Sequence, residues 1–209
     1  LEWKRWQPVY HEIIDFFGYS EEKDLESAIL LGRLRGSDDL EILHGLEGKT
    51  VEIQGPLMEE PYCDIQIVAG SAASRCEDRG AEPYLLVTDL DGNTDLQLDM
   101  NIEGTPTVIH AHGDNMHLIE RWATRFTGHV ISTCQCEPVD RVYNFGGFTD
   151  GDRAVFIADH FGAREILLNG WDLDHPVGKN KEEKKLKLRW AKKLLRMVDT
   201  PIRYLDQRV

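Results

Sequence analysis

The spacing of apolar positions changes near residue 50. Before it, Trp6, Val9, Tyr10, Ile13, Ile14 and Phe17 recur every three or four residues, as on one face of a helix, and Gly18 offers a stop. Ser20 followed by Glu21 and Glu22 reads as an N-cap with first-turn acids, opening a second helix through Leu25, Ala28, Ile29 and Leu31. Asp38 and Asp39 open a third, ended by Gly45 or Gly48. After Thr50, short unbroken apolar runs alternate with amphipathic stretches. The runs at 51–54, 65–68, 85–88, 107–111, 129–132 and 166–169 predict strands, and 72–79, 115–126, 150–161 and 182–198 predict helices. Strands that stay apolar at every position belong to a parallel sheet covered on both faces. The expectation is an α/β fold with a Rossmann-like, mostly parallel sheet, helices on both faces and a helical N-terminal region. Residues 1–48 would form that region and 49–209 the α/β catalytic domain.

Composition narrows the class. A chain of 209 residues can bury a sizeable core without disulfide or metal staples. No run approaches the ~18 apolar residues of a membrane span, and Leu1-Glu2-Trp3-Lys4-Arg5-Trp6 lacks the order of a secretory signal. Cys63, Cys76, Cys134 and Cys136 match neither a disulfide framework nor a zinc ribbon, which suits reduced thiols in the cytoplasm. The formal charge of −13 disfavours nucleic acid and anionic lipid as partners. Nine basic residues lie between Lys179 and Arg196 against two acidic ones, leaving 15 basic against 35 acidic elsewhere. A basic segment on an acidic body suggests a local anion site or self-association, for example as a homodimer.

Polar clusters follow the expected strands, where ligands sit in open α/β sheets. Asp89-Leu90-Asp91-Gly92-Asn93 follows one, and its two carboxylates two residues apart suit Mg²⁺, although Asp-Gly-Asn is also good turn chemistry. His110-Ala111-His112-Gly113-Asp114-Asn115 follows the next. His-x-His can start a zinc site, contact phosphate or substrate, or simply hydrogen-bond, while Asp114 and Asn115 suit a helix N-cap. Asn144 to Arg153 leads into a helix. Gly146 and Gly147 permit close backbone approach, Thr149 or Asp150 suits a cap, and Arg153 offers a forked donor or an ion pair with Asp150 or Asp152. Gly170-Trp171-Asp172 ends another strand. Most of the lysine-rich helix reads as a solvated face, with Lys179 and Lys181 placed to close over a polyphosphate.

These strings resemble the archaeal 6-hydroxymethyl-7,8-dihydropterin pyrophosphokinase family over nearly the whole chain. The resemblance rests on Val87-Thr88-Asp89-Leu90-Asp91-Gly92, His110 to Asn115, Asn144 to Arg153 and Gly170-Trp171-Asp172, with Trp6-Gln7, Glu22 to Ala28 and the basic terminal helix. The Asp-Leu-Asp segment is also similar to thiamine pyrophosphokinases. Two segments depart from the family pattern. Gln54-Gly55-Pro56-Leu57 stands where a Gly-x-Gly-Pro-Ser loop is usual, and Ala69-Gly70-Ser71-Ala72 where Ala-Asp-Gly-Ala is frequent. The resemblance implies transfer of the terminal diphosphate of ATP to a reduced pterin, in folate or methanopterin biosynthesis. It implies Mg²⁺ on Asp89 and Asp91, with His110, His112 and Asp114 beside them in the catalytic group. Asn115, Gly146, Gly147, Thr149, Asp150, Arg153 and Lys181 would hold ATP phosphates, and Trp171 and Asp172 the pterin. The rivals are a metallohydrolase using the His-x-His and Asp-x-Asp clusters, or a weakened nucleotide- or pterin-binding protein.

Overall fold

The computed structural model describes residues 2–38, 40–80, 82–176 and 180–205. Helix α1 (Trp3–Phe17) buries Trp6, Tyr10, Ile13 and Ile14, one stripe at helical spacing. It ends at Gly18, whose left-handed φ of 71° lets its N–H reach back to Ile14 O. Helix α2 (Glu21–Leu34) starts on Ser20, whose hydroxyl accepts from Lys23 N–H at 3.3 Å. The expected third helix is one turn, α3 (Glu41–His44). Asp38 does not cap it: its carboxylate accepts from Arg35 and from the Val130 N–H at 2.8 Å, pinning this connection to a strand, and Asp39 lies outside the described residues.

The chain then alternates through β1 (Thr50–Gln54), β2 (Gln66–Ala69), α4 (Ala73–Asp78), β3 (Leu85–Thr88), α5 (Thr94–Ile102), β4 (Thr107–Ala111), α6 (Met116–Trp122) and β5 (Val130–Cys134). It continues with α7 (Asp150–His160), β6 (Glu165–Asn169), α8 (Lys181–Leu194) and β7 (Ile202–Tyr204). The strands form one seven-stranded parallel sheet in the order β5-β4-β3-β2-β1-β6-β7. Strand pleating sends neighbouring residues to opposite faces. Ile67, Leu85, Val87, Val108 and Ile131 therefore pack under α7, while Val68 and Leu86 meet α4 and α5, and Ile109 and Val130 meet α2, α5 and α6. Helix α1 and the end of α8 share a fourth core with Phe156 of α7 and Cys134 of β5.

Strands succeed one another outward from β1 to β5, and the chain then crosses back to lay β6 on the other side of β1. The order thus reverses between β1 and β6, where the carboxyl ends of Gln54 and Asn169 pair. That reversal opens a crevice between neighbouring strand ends. Two elements escape the apolar pattern. In α5 the buried face includes Thr94, Gln97 and Asn101, so no apolar stripe marks it. Strand β7 is three residues on the sheet edge, two of them exposed.

Candidate active site

A cleft of about 550 Å³ runs along the carboxyl edge of the sheet. Asp89 and Asp91 enter it after β3, His110 and His112 at the end of β4, Gln135 after β5, Asp150 and Arg153 from the start of α7, and Gly55 and Trp171 from the β1/β6 crevice. Distant acidic, imidazole and helix-start segments thus meet on one surface.

Strand ends are held by side chains that are themselves saturated. Asn115 donates through Nδ2 to Asp89 O and His110 O, both at 2.8 Å, and its Oδ1 accepts from His112 N–H at 3.0 Å. This buried amide clamps β3 to β4 with no group left over for a phosphate. The Asp89 carboxylate accepts from Asp91 N–H at 3.0 Å and stands 3.6 Å from His112 Nε2. Burial pushes Asp89 up, but the His112 hydrogen bond and charge, the Asp91 amide and the Arg153 charge together hold it below the usual carboxylate range.

His110 is 1% exposed. Its Nδ1 meets Thr133 Oγ1 at 3.1 Å; that hydroxyl donates to Ile109 O, so it accepts from Nδ1–H. The other nitrogen, Nε2, keeps its lone pair and has no partner. Burial, then the charges of Arg153 and His112, push His110 well below the usual imidazole range against the opposing pull of the Gln135 side chain, so the ring is neutral.

The 146–153 segment is built around the first turn of α7. Asp152 accepts from the N–H groups of Phe148 (2.6 Å) and Thr149 (2.8 Å) and from the Thr149 hydroxyl. Gly147, at φ 90°, lies so close to this turn that a Cβ would stand 2.4 Å from Arg153 Cα. Gly146 and Gly147 are not among the residues that line the cleft; they fold the loop that delivers Thr149, Asp150 and Arg153 to it. Arg153 donates to Phe148 O at 3.2 Å and comes within 3.9 Å of Asp150 Oδ1. Asp150 Oδ1 has no hydrogen bond. Burial and the charge of Asp89 raise the Asp150 carboxyl well above the usual range; Arg153 opposes this, and Asp152 and Asp91 add to it.

Trp171 donates its indole N–H to Ile53 O at 3.0 Å and lays its ring over α7 at Gly151. Asp172 lines the cleft but is engaged in its own turn, accepting from Asp174 and His175 N–H groups. Lys181 is exposed at the start of α8 and does not line the cleft, whereas Lys184, Lys187 and Leu188 do. Lys179 lies outside the described residues. Gln135, between two buried cysteines, lines the cleft without any local signal, and its Nε2 donates at 2.8 Å to Asp24 of α2, which does not line it. Only the tertiary arrangement joins them.

Among the described residues, no three His, Cys, Asp or Glu side chains converge closely enough to hold a metal ion. That does not favour a zinc hydrolase, which needs about three protein ligands. Mg²⁺ asks less of the protein, taking one or two carboxylates and completing its shell with waters and phosphate oxygens. The unpartnered Asp150 oxygen beside Asp89 and Asp91 fits such an ion, because an added cation would relieve their mutual repulsion.

An open parallel sheet with a cleft at its switch point, carrying acids, imidazoles and an arginine, is the place where α/β proteins bind ligands and carry out chemistry. Comparison with known proteins narrows this. A family model described as "6-hydroxymethylpterin diphosphokinase MptE-like" matches residues 54–178, and the chain belongs to that family. It is 38% identical to the 6-hydroxymethyl-7,8-dihydropterin pyrophosphokinase of Pyrococcus furiosus, over 93% of each chain. Proteins of that name from Methanothermobacter thermautotrophicus (34%, over 92% of each) and Methanocaldococcus jannaschii (33%, over 82% of this chain and 80% of the other) are also similar.

Proposed function

We propose that this protein transfers the terminal diphosphate of ATP to the hydroxymethyl group of 6-hydroxymethyl-7,8-dihydropterin and releases AMP. The observation that carries the reading is the convergence of Asp89, Asp150 and the lone pair of His110 Nε2 on one cleft, in a chain related over most of its length to enzymes of that name. The alcohol oxygen attacks the β-phosphorus, the bond from that phosphorus to the bridging oxygen breaks, and AMP departs with that oxygen. Alignment and neutralisation of phosphate charge do most of the work. Asp89 and Asp91 would hold Mg²⁺, which supplies positive charge to the phosphate oxygens. His110 Nε2, neutral and unpartnered, accepts the alcohol proton, a role that needs a free lone pair near the reacting oxygen.

Cations and helix dipole hold the phosphates. Arg153 and the free N–H groups at the start of α7 lie on one side, with Lys184 and Lys187 of α8 on another. Lys187 is the better placed of the lysines: burial lowers its pKa, but Glu183, Tyr19 and Asp89 outweigh that and keep it charged. Trp171 offers an aromatic face for a planar ring. We also read the enzyme as cytoplasmic, and as a homodimer, which sedimentation would check as a doubling of 23.9 kDa. The defining assay combines protein, Mg²⁺, ATP and the pterin. AMP formed only when the pterin is present supports the reading; ADP and phosphate contradict it.

A further inference from the structure

Helix α2 carries a carboxylate that the transfer reading does not use. Asp24 is 2% exposed and lies outside residues 54–178, the span matched by the family model. Its Oδ1 accepts from Gly113 N–H at 2.7 Å, and its Oδ2 accepts from the Tyr10 hydroxyl and Gln135 Nε2, both at 2.8 Å. Three donors from α1, from the turn after β4 and from the end of β5 converge on one buried anion. Such charge-assisted bonds are the strong ones.

The chemistry fixes an orientation. A carboxylate offers only lone pairs, so the Gln135 amide must turn its NH₂ toward Asp24 and its oxygen away. The Gln135 backbone is held as well: its carbonyl accepts from Trp6 Nε1 (3.0 Å) and Asn144 Nδ2 (2.9 Å). Gln135 lines the cleft and adjoins the His110 ring, whose Nε2 is unpartnered. With its NH₂ spent on Asp24, Gln135 presents an acceptor, Oε1, on the His110 side of the cleft. Polyphosphate oxygens have no proton to give it. A reduced pterin has ring N–H groups and a hydroxymethyl O–H.

We propose that Asp24 is a positioning residue of the pterin subsite: through Gln135 it fixes an acceptor-lined wall that selects the hydrogen-bond-donating substrate over the nucleotide. The proposal rests on the diphosphotransfer reading for the identity of that substrate. Its corollary is that the N-terminal helices complete the site.

The test is binding of each substrate separately. Asp24→Asn replaces one acceptor with an NH₂, so Gln135 loses its fixed orientation. Pterin affinity, read from pterin fluorescence without ATP, should weaken about tenfold, while affinity for Mg²⁺ with the α,β-methylene analogue of ATP stays within about twofold. Gln135→Leu should give the same selective loss, and Asp24→Asn added to it should cost nothing more, because the two act as one unit. Unchanged pterin affinity, equal weakening of both ligands in folded protein, or additive effects would overturn the proposal. If Asp24→Asn does not fold, Gln135→Leu alone decides in the same way. Wild-type protein that binds the pterin yet releases no AMP would defeat the transfer reading and leave this test standing.

Discussion

Two carboxylates packed near the sheet, one on a strand and one at the start of α7, are treated in opposite ways. Glu52, fully buried on β1, has both oxygens occupied: Oε2 accepts from the N–H groups of Tyr62 (2.6 Å) and Cys63 (3.1 Å), and Oε1 from Asn169 Nδ2 (2.8 Å) and Gln54 Nε2 (3.2 Å). It ties the 55–65 connection beneath the β1/β6 end of the sheet. Asp150, at the start of α7, leaves Oδ1 without a hydrogen bond among neighbours that are mostly acidic. An unmet buried polar group costs roughly 1–3 kcal/mol. The first cluster is architecture, closed on itself. The second leaves open valences facing a cleft, and the nitrogen of His110 without a hydrogen bond belongs to a residue lining the same cleft.

Variants on each side should separate accordingly. The largest effect is expected for Asp91→Asn, which should cut turnover by about 10³-fold or more and leave the melting temperature nearly unchanged, because Asp91 is exposed. Wild-type rates at low Mg²⁺ would remove it from the metal site. His110→Gln should lower kcat by about 10²-fold or more, the usual worth of a general base, with KM for ATP little altered; an unchanged kcat would deny the imidazole that role. Glu52→Gln should do the reverse. It presents an NH₂ to N–H donors and should cost about 1–3 kcal/mol of stability, seen in urea unfolding, while folded enzyme keeps its kcat. The smallest effect is the most telling in sign. The folded-state pKa of Asp150 is raised above its unfolded value, so its contribution to stability is present at low pH and lost as pH rises through the folded pKa. At neutral pH, Asp150→Asn should therefore raise the melting temperature of the ligand-free protein, by about 2 °C or more, while lowering turnover. A fall in melting temperature would place Asp150 with Glu52.

Much of this was legible in the sequence where local rules suffice. Strands β3 and β4 match their expected bounds, each built on a short apolar run, Leu85-Leu86-Val87 and Val108-Ile109, with polar residues around it. Strand β5 runs two residues past its expected end because Thr133 and Cys134 are buried and paired with β4, although Thr133 breaks the apolar run. Helix α5 was hidden by its buried Gln97 and Asn101, whose amides bond to backbone and neighbouring side chains. In the site, acids and imidazoles at strand ends announced themselves, because polar residues after apolar strands are unusual enough to notice. Gln135 did not, and Asp24 stood out only within the Glu22 to Ala28 string of the resemblance. A lone aspartate in an acidic first turn reads as solvated, and a glutamine between cysteines has no periodicity. Conversely, Gly146-Gly147 suggests a close backbone approach to a ligand, and the structure uses Gly147 to let a loop press against Arg153.

The most direct test of the open cluster is a structure of the protein with Mg²⁺ and a non-hydrolysable ATP analogue. The account predicts the metal on the Asp89–Asp91 side of the cleft, the β-phosphorus facing His110, and a new partner for Asp150 Oδ1. A nucleotide bound elsewhere, with Asp150 and His110 still unpartnered, would contradict it.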